Sequence, residues 1–137
     1  YDFNLREDNK DWLRKKTRRQ VKATLQCRSL FFIHSYLKGG YFQWLDNNKI
    51  ICEFMENIDG HDSVAFVGHT HVPGLFSITK EGMFSRYKVV YEEWLSLEGE
   101  RKYLVNVGST GEPRDGKRTG TYVLFDTERL AMKFCEI

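Results

Sequence analysis

Apolar and polar positions along the chain fall into short segments whose spacing predicts secondary structure. Residues 21 to 28 alternate apolar and polar side chains with a period of two, which predicts a half-buried strand. The uninterrupted apolar run at 30 to 34 predicts its hairpin partner. Residues 48 to 58 place apolar side chains at helical spacing after the capping residues at 46 to 48, so we expect a helix there. A shorter helix is predicted over residues 8 to 16.

The second half of the chain predicts strands separated by turns that contain glycine. These predicted strands cover residues 64–67, 75–79, 83–90, 103–107, 121–126 and 131–137. Residues 91 to 97 are compatible with a strand or a short helix, residues 41 to 45 show no clear pattern, and residues 108 to 120 predict a loop. Helices in the first half and hairpins in the second indicate one α+β domain over residues 1 to 137.

Three histidines stand at the ends of two apolar runs. His34 closes the run at 30 to 34, and His69 and His71 follow the run at 64 to 67. In an extended segment, residues two apart face the same side, so we expect His69 and His71 to face one cavity. Because both runs predict strands of one sheet, we expect His34 to join them. A histidine at a strand end is more often structural than a ligand, but three together favour a transition-metal site.

Three sequence blocks, in the same order, resemble those of the calcineurin-like metallophosphoesterases. Residues 66–73 resemble the Gly-His-x-His block of that family, and residues 32–35 resemble its strand-plus-histidine block. Residues 104–116 resemble the Asn-x-Gly-Ser-x-Gly-x-Pro-Arg loop, which is typical of the branch with diadenosine tetraphosphatase-like and broad phosphodiesterase members. The resemblance covers residues 30 to 126 and implies part of an α/β/β/α layered sandwich, β-rich and with few helices.

The blocks of the family's first half do not occur in this sequence. They are an Asp-x-His block, a Gly-Asp-x-x-Asp block and a Gly-Asn-His block. The resemblance therefore implies the C-terminal half of the family domain, with most of the partner sheet missing. We then expect an uncovered apolar face that exposes aromatic side chains such as Phe31 and Phe66, and a homodimer formed through this exposed sheet.

The resemblance also implies a chemistry for individual residues. The family hydrolyses phosphomonoesters or phosphodiesters with two divalent transition metals (Mn, Fe, Ni or Zn), which generate a metal-bound hydroxide. Carried over residue by residue, His71 would bind the first metal, and His69 and His34 the second. Asn106 and Arg114 would contact substrate, Arg114 through a bidentate fork to phosphate, although Arg114 also fits a structural β-turn.

Without the family's aspartates, we expect this chain to bind at most one metal, weakly, and to be inactive alone. The main alternative is a non-catalytic metal-binding or assembly domain. His61, in an Asp-Gly-His-Asp turn, is predicted to be a plain surface residue.

Charge and cysteine content add few constraints. The chain has 21 basic and 19 acidic residues, a net charge of +2, so its overall charge does not indicate a polyanionic partner. The basic run at 14 to 19 raises a nucleic-acid-binding alternative, but it lacks interleaved aromatic residues and better fits a solvated helix end. Cys27, Cys52 and Cys135 are widely spaced without a Cys-x-x-Cys pair, which predicts a reduced, cytoplasmic protein. No apolar run has the length of a membrane span.

Overall fold

The fold is built on a six-stranded mixed sheet in the computed structural model, which describes residues 6–8, 10–11, 20–25 and 28–137. The helix α1 spans Asn48–Glu56, and residues 7, 8, 10 and 11 are also helical. The strands, in chain order, are β1 (Gln20–Leu25), β2 (Arg28–Ile33), β3 (Leu37–Lys38), β4 (Tyr41–Phe42), β5 (Ser63–Val67), β6 (Gly74–Thr79), β7 (Phe84–Tyr87), β8 (Leu95–Ser96), β9 (Arg101–Asn106), β10 (Thr121–Asp126) and β11 (Ala131–Glu136).

The order of strands in the large sheet is β1-β2-β5-β9-β6-β7. The three central strands β2, β5 and β9 are parallel neighbours, whereas β1, β6 and β7 pair antiparallel to their neighbours. The carboxyl ends of β2, β5 and β9 therefore lie at one edge of the sheet. Loops that follow parallel strands at such an edge are the usual place for a ligand site.

The two faces of this sheet are covered by different layers. The pleat of β5 sends Ala65 and Val67 to the face that packs against α1, and Val64 and Phe66 to the opposite face. A second sheet of order β10-β11-β8 covers that opposite face, with Met132 among its buried side chains. The result is a helix layer and two sheet layers around two apolar cores, which confirms the predicted β-rich α+β class.

Helix α1 and the first hairpin form where the sequence predicted them. The side chain of Asn47 caps α1 by accepting a hydrogen bond of 3.0 Å from the backbone nitrogen of Ile50. Three apolar side chains of α1, Ile51, Phe54 and Met55, are buried against the sheet. The strands β1 and β2 pair antiparallel, as expected for a hairpin.

Several boundaries differ from the predictions. The strand β1 is exposed on both faces up to Thr24, because it lies at the sheet edge beyond the covering layers. The segment at 83–90 forms a strand only to Tyr87, and 91–97 contributes the short strand β8. Within 41–45, Tyr41–Phe42 pairs with β3 across a turn with positive φ at Gly39 and Gly40. Most of the helix predicted at 8–16 and the basic run at 14–19 lie outside the described residues.

Phe31 and Phe66 are buried, with 4% and 8% of their surface exposed, so the predicted exposure of these two rings is wrong. Phe31 belongs to the core beneath α1, and Phe66 packs against Phe125 of the second sheet with ring centroids 5.5 Å apart. Both covering layers are therefore present over these positions. Phe32 remains exposed on the same sheet, and association into a homodimer stays a prediction. Within the described ranges, no helix has the length and apolar character needed to cross a membrane.

Candidate functional site

The three predicted histidines meet where the parallel strands end. His34 directly follows β2, and His69 and His71 lie in the loop after β5. All three line one cavity of about 470 Å³, together with residues of the loop after β9. The predicted convergence on one cavity is confirmed, and its cause is the parallel order of β2, β5 and β9.

The side chains of His34 and His69 are in direct contact. The Nε2 atom of His34 lies 2.9 Å from Nδ1 of His69, and the ring planes are inclined by 73°. Two nitrogens that each bind one ion at about 2.0–2.1 Å, at an angle of roughly 90–109°, are themselves roughly 2.9–3.4 Å apart. The spacing thus suits two ligands of one metal, and without a metal it suits a hydrogen bond from one ring to the other.

The environment of His69 favours its neutral form. Burial lowers the pKa of His69 below its ordinary value, and electrostatic interactions with His34, His71 and Arg114 lower this pKa further. Neutral imidazole is the form that binds a metal. At neutral pH the ring is therefore available as a ligand without first losing a proton.

His71 is oriented by the loop after β9. Its Nδ1 lies 2.8 Å from the backbone carbonyl oxygen of Glu112, and since a carbonyl only accepts, Nδ1 carries the proton. Nε2 of the neutral ring is then the atom with a free lone pair. Metal-binding histidines commonly donate their other ring N–H to a backbone carbonyl, which fixes the tautomer and the orientation of the ring.

The loop that carries His69 and His71 is not extended, which corrects the geometry assumed from the sequence. The strand β5 ends at Val67, and φ is +63° at His69 and +59° at His71. The backbone nitrogen of Thr70 donates a hydrogen bond of 2.7 Å to the carbonyl of Gly68, so the chain turns between the two histidines. A left-handed conformation in a non-glycine residue costs about 1–2 kcal/mol, and such strain persists only where surrounding contacts enforce it.

Asn106, at the end of β9, makes some of the contacts that hold the histidine loop in this conformation. Only 3% of its surface is exposed. Its Nδ2 donates to the carbonyl of Gly68 (3.1 Å) and to Oγ1 of Thr70 (2.7 Å), while its Oδ1 accepts from the backbone nitrogen of Gly108 (3.1 Å). These bonds give Asn106 a role in positioning the histidine loop. Its predicted contact with substrate stays a prediction.

Arg114 lies at the rim of the site. Its backbone nitrogen donates to the carbonyl of His71 (3.2 Å), and its Nη2 lies 3.2 Å from Oε2 of Glu112. The side chain of Arg114 is 43% exposed. His61, in contrast, is exposed beside Glu56 and Lys102 and does not line the histidine cavity, in agreement with the prediction of a surface residue.

Two aromatic residues beside the histidines were not predicted from the sequence. Trp44 lies 5.2 Å from His69 and Phe42 lies 4.9 Å from His34, measured between ring centroids. The available signal was the aromatic density of Tyr41-Phe42-Gln43-Trp44 shortly after His34. It was missed because that segment shows neither helical nor strand periodicity.

The ligand set of a metal centre is only partly present among the described residues. His34 and His69 have ligand spacing, and His71 adds a third imidazole on the cavity, but none of the described lining residues is a carboxylate. Nowhere in the described ranges do three His, Cys, Asp or Glu side chains already lie close enough to hold an ion. The donors present fit a transition metal by type and spacing without completing its coordination.

Comparison with known proteins places this architecture in a family. The domain described as "Calcineurin-like phosphoesterase superfamily domain" matches residues 3–130, a wider range than the blocks at 30–126. An uncharacterized protein of Methanocaldococcus jannaschii is 29% identical over 85 residues, which are 62% of this chain and 32% of that protein.

A solved metallophosphoesterase from Sphaerobacter thermophilus superposes with a TM-score of 0.73 at 21% identity, covering 97% of this chain and 53% of that one. The chain thus spans about a third of the archaeal relative and about half of the bacterial structure. The shared architecture and the match along nearly the whole chain agree with each other. The chain belongs to the calcineurin-like phosphoesterase superfamily.

Proposed function

We propose that this chain forms part of a metal-dependent phosphoesterase, and that His34, His69 and His71 are its metal ligands. The observation that carries the proposal is the 2.9 Å contact between Nε2 of His34 and Nδ1 of His69 on a cavity that His71 also lines. The left-handed backbone of His69 and His71 supports it, because strain of this kind concentrates at functional sites.

In this proposal, the histidines bind metal and Arg114 binds the substrate phosphate. His34 and His69 hold one ion, while His71, oriented by the carbonyl of Glu112, directs Nε2 into the cavity. Arg114 at the rim binds a substrate phosphate through its guanidinium. A bound Mn, Fe, Ni or Zn ion would polarise a phosphoryl oxygen and lower the pKa of water. The substrate class is a phosphomonoester or phosphodiester, and the loop from Asn106 to Arg114 supports the diadenosine tetraphosphatase-like and phosphodiesterase branch.

We further propose that the chain alone binds at most one ion, weakly, and has little turnover. A dinuclear centre needs carboxylates that bridge and neutralise two ions, and the described lining of the cavity offers none. The same observation favours the second candidate function, a non-catalytic metal-binding or assembly domain. For location we propose the cytoplasm, supported by Cys52 and Cys135, which are both free thiols.

Calorimetric titration with manganese, and separately with zinc, tests the metal site. We expect His34→Ala, His69→Ala and His71→Ala each to weaken binding by about tenfold or more, since each removes one ligand. His61→Ala is the matched control, because His61 lies outside the cavity, and it should bind like the parent chain. Absence of metal binding by the parent chain, or equal loss in His61→Ala and His69→Ala, would overturn the proposal.

Turnover tests whether the chain alone is an active enzyme. With manganese added, hydrolysis of p-nitrophenyl phosphate and of bis(p-nitrophenyl) phosphate would be followed for the parent chain and for His69→Ala. Metal-dependent hydrolysis that disappears in His69→Ala would identify an enzyme and would overturn both the proposed low turnover and the non-catalytic alternative. Metal binding with little or no hydrolysis is the expected result, and it agrees with either candidate function.

A further inference from the structure

Trp44 is a large aromatic side chain that belongs to neither of the two apolar cores. It is 41% exposed, although it stands directly beside a histidine of the candidate site. Its ring meets the ring of His69 at 69°, an edge contact that leaves much of the indole surface open. An exposed indole at the mouth of a site offers a flat apolar surface to a ligand.

Trp44 lines a second cavity, distinct from the histidine cavity. Its volume is about 260 Å³, and Trp44, Val72, Pro73 and Gly74 form its apolar wall. Its polar lining comes from the buried residues Thr70 and Asn106 and from the charged residues Asp46 and Arg86. The turning loop after β5 separates the two cavities, since His69 and His71 line the first while Thr70 and Val72 line the second.

A cation lies next to the indole. The guanidinium carbon of Arg114 is 5.8 Å from the centre of the Trp44 ring, and the backbone nitrogen of Arg114 donates a hydrogen bond to the carbonyl of His71. The indole therefore lies close both to a guanidinium and to a histidine of the cavity. A molecule that carries a phosphoester next to a planar aromatic ring matches this arrangement.

We propose that Trp44 and the adjoining cavity bind the aromatic ring of the substrate, a nucleobase or an aryl group, while Arg114 and the histidines take its phosphate. The proposal rests on the proposed phosphoesterase function and deepens it by assigning a residue and a cavity to the aromatic part of the substrate. Trp44 would act on specificity by stacking, since every nucleobase has an aromatic face. It takes no part in proton or phosphoryl transfer.

Trp94 provides a matched control. It is 49% exposed and has the ammonium of Lys133 5.6 Å from its ring centre, so it also combines an open indole with a nearby cation. It lines a different groove, formed with residues such as Tyr87 and Phe134, away from the histidines. Non-specific stacking of a base on any open indole would therefore occur equally at Trp94.

The test compares two ligands that share a phosphate and differ in the base, AMP and ribose 5-phosphate, by calorimetry with the 137-residue chain and added manganese. We expect AMP to bind about tenfold more tightly. Trp44→Leu should reduce this ratio to about twofold or less, whereas Trp44→Phe and Trp94→Leu should keep most of it. Arg114→Met should weaken both ligands alike.

Saturation-transfer difference NMR on the parent chain makes the test independent of any variant's folding. The adenine protons of AMP should receive more saturation than its ribose protons. An equal affinity for AMP and ribose 5-phosphate, a ratio unchanged in Trp44→Leu, or stronger saturation of the ribose would overturn this inference alone. Failure of both ligands to bind the parent chain would overturn the proposed phosphoesterase function and this inference with it.

Discussion

Asn106 donates a hydrogen bond of 2.7 Å to Oγ1 of Thr70, and this bond ties the end of β9 to the residue between His69 and His71. Both partners are buried, with 3% of the surface of each exposed. The second donor hydrogen of Asn106 goes to the carbonyl of Gly68, so one side chain spans the turning loop. The left-handed backbone at the two histidines is thus held from a neighbouring strand.

Replacing Asn106 should loosen this loop. Asn106→Ala leaves the backbone nitrogen of Gly108 without its partner, and it removes one of two hydrogen bonds at the carbonyl of Gly68 and one of two at the hydroxyl of Thr70. We expect the free energy of unfolding to fall by about 1–3 kcal/mol, which is the cost of one unpaired buried polar group. Urea unfolding measures this change. Asn48→Ala, at an exposed position, should change the free energy of unfolding by less than about 0.5 kcal/mol.

Gly108 lines the histidine cavity together with the three histidines. Its φ is +78°, and a Cβ at this position would lie 1.9 Å from Oγ1 of Thr121 and 2.8 Å from Cγ of Pro73. We expect Gly108→Ala to destabilise the fold by about 2–4 kcal/mol through backbone strain and overpacking together.

Gly111 in the same loop is the matched control for Gly108. Nothing lies within 4 Å of a Cβ built at Gly111, so Gly111→Ala should stay within about 0.5 kcal/mol of the parent chain. Thermal unfolding of both variants measures the contrast. Similar melting temperatures for Gly108→Ala and Gly111→Ala would contradict the close packing at Gly108.

The sequence predicted those parts of the site that depend on local pattern. The apolar run at 64–67 became β5, and the apolar run before His34 became β2, so their parallel pairing brings the histidines together. The backbone conformation of His69 and His71 was not predictable, because it depends on Asn106, which is more than thirty residues away in sequence. A local pattern indicates which face of an element is apolar. It does not indicate which side chain of another strand will hydrogen-bond to that element.

Lys102 holds the C-terminal end of α1. Its Nζ donates to the backbone carbonyls of Met55 (3.1 Å), Glu56 (3.3 Å) and Ile58 (2.6 Å). These carbonyls lie at the negative end of the helix dipole, and the last turn of α1 itself contains no basic residue. We expect Lys102→Met to lower the free energy of unfolding by about 1–2 kcal/mol, measured in urea. Lys80→Met removes an ammonium at an exposed position and should leave the free energy of unfolding nearly unchanged.

Glu53 links α1 to the segment that leads to Phe42 and Trp44. Its Oε1 accepts hydrogen bonds from Nζ of Lys38 (2.5 Å) and from the hydroxyl of Tyr36 (3.1 Å), and these bonds lower the pKa of the Glu53 carboxyl below its ordinary value. A carboxyl with a lowered pKa in the folded state binds protons less readily there than in the unfolded chain. Its contribution to stability is therefore present above the ordinary pKa of about 4.5 and is lost as the pH falls through the folded value.

Glu53→Gln should accordingly reduce the loss of stability on acidification. We expect the difference in free energy of unfolding between pH 7 and pH 3.5, measured in urea, to be smaller for Glu53→Gln than for the parent chain. Glu56→Gln removes a carboxylate of the same helix that accepts no side-chain hydrogen bond in the described part of the chain, and it should keep the parent's pH dependence. Trp fluorescence at pH 7 should shift in Glu53→Gln, because the segment holding Trp44 beside His69 loses one of its ties to α1. An identical pH dependence for Glu53→Gln and the parent chain would contradict the pairing of Glu53 with Lys38 and Tyr36.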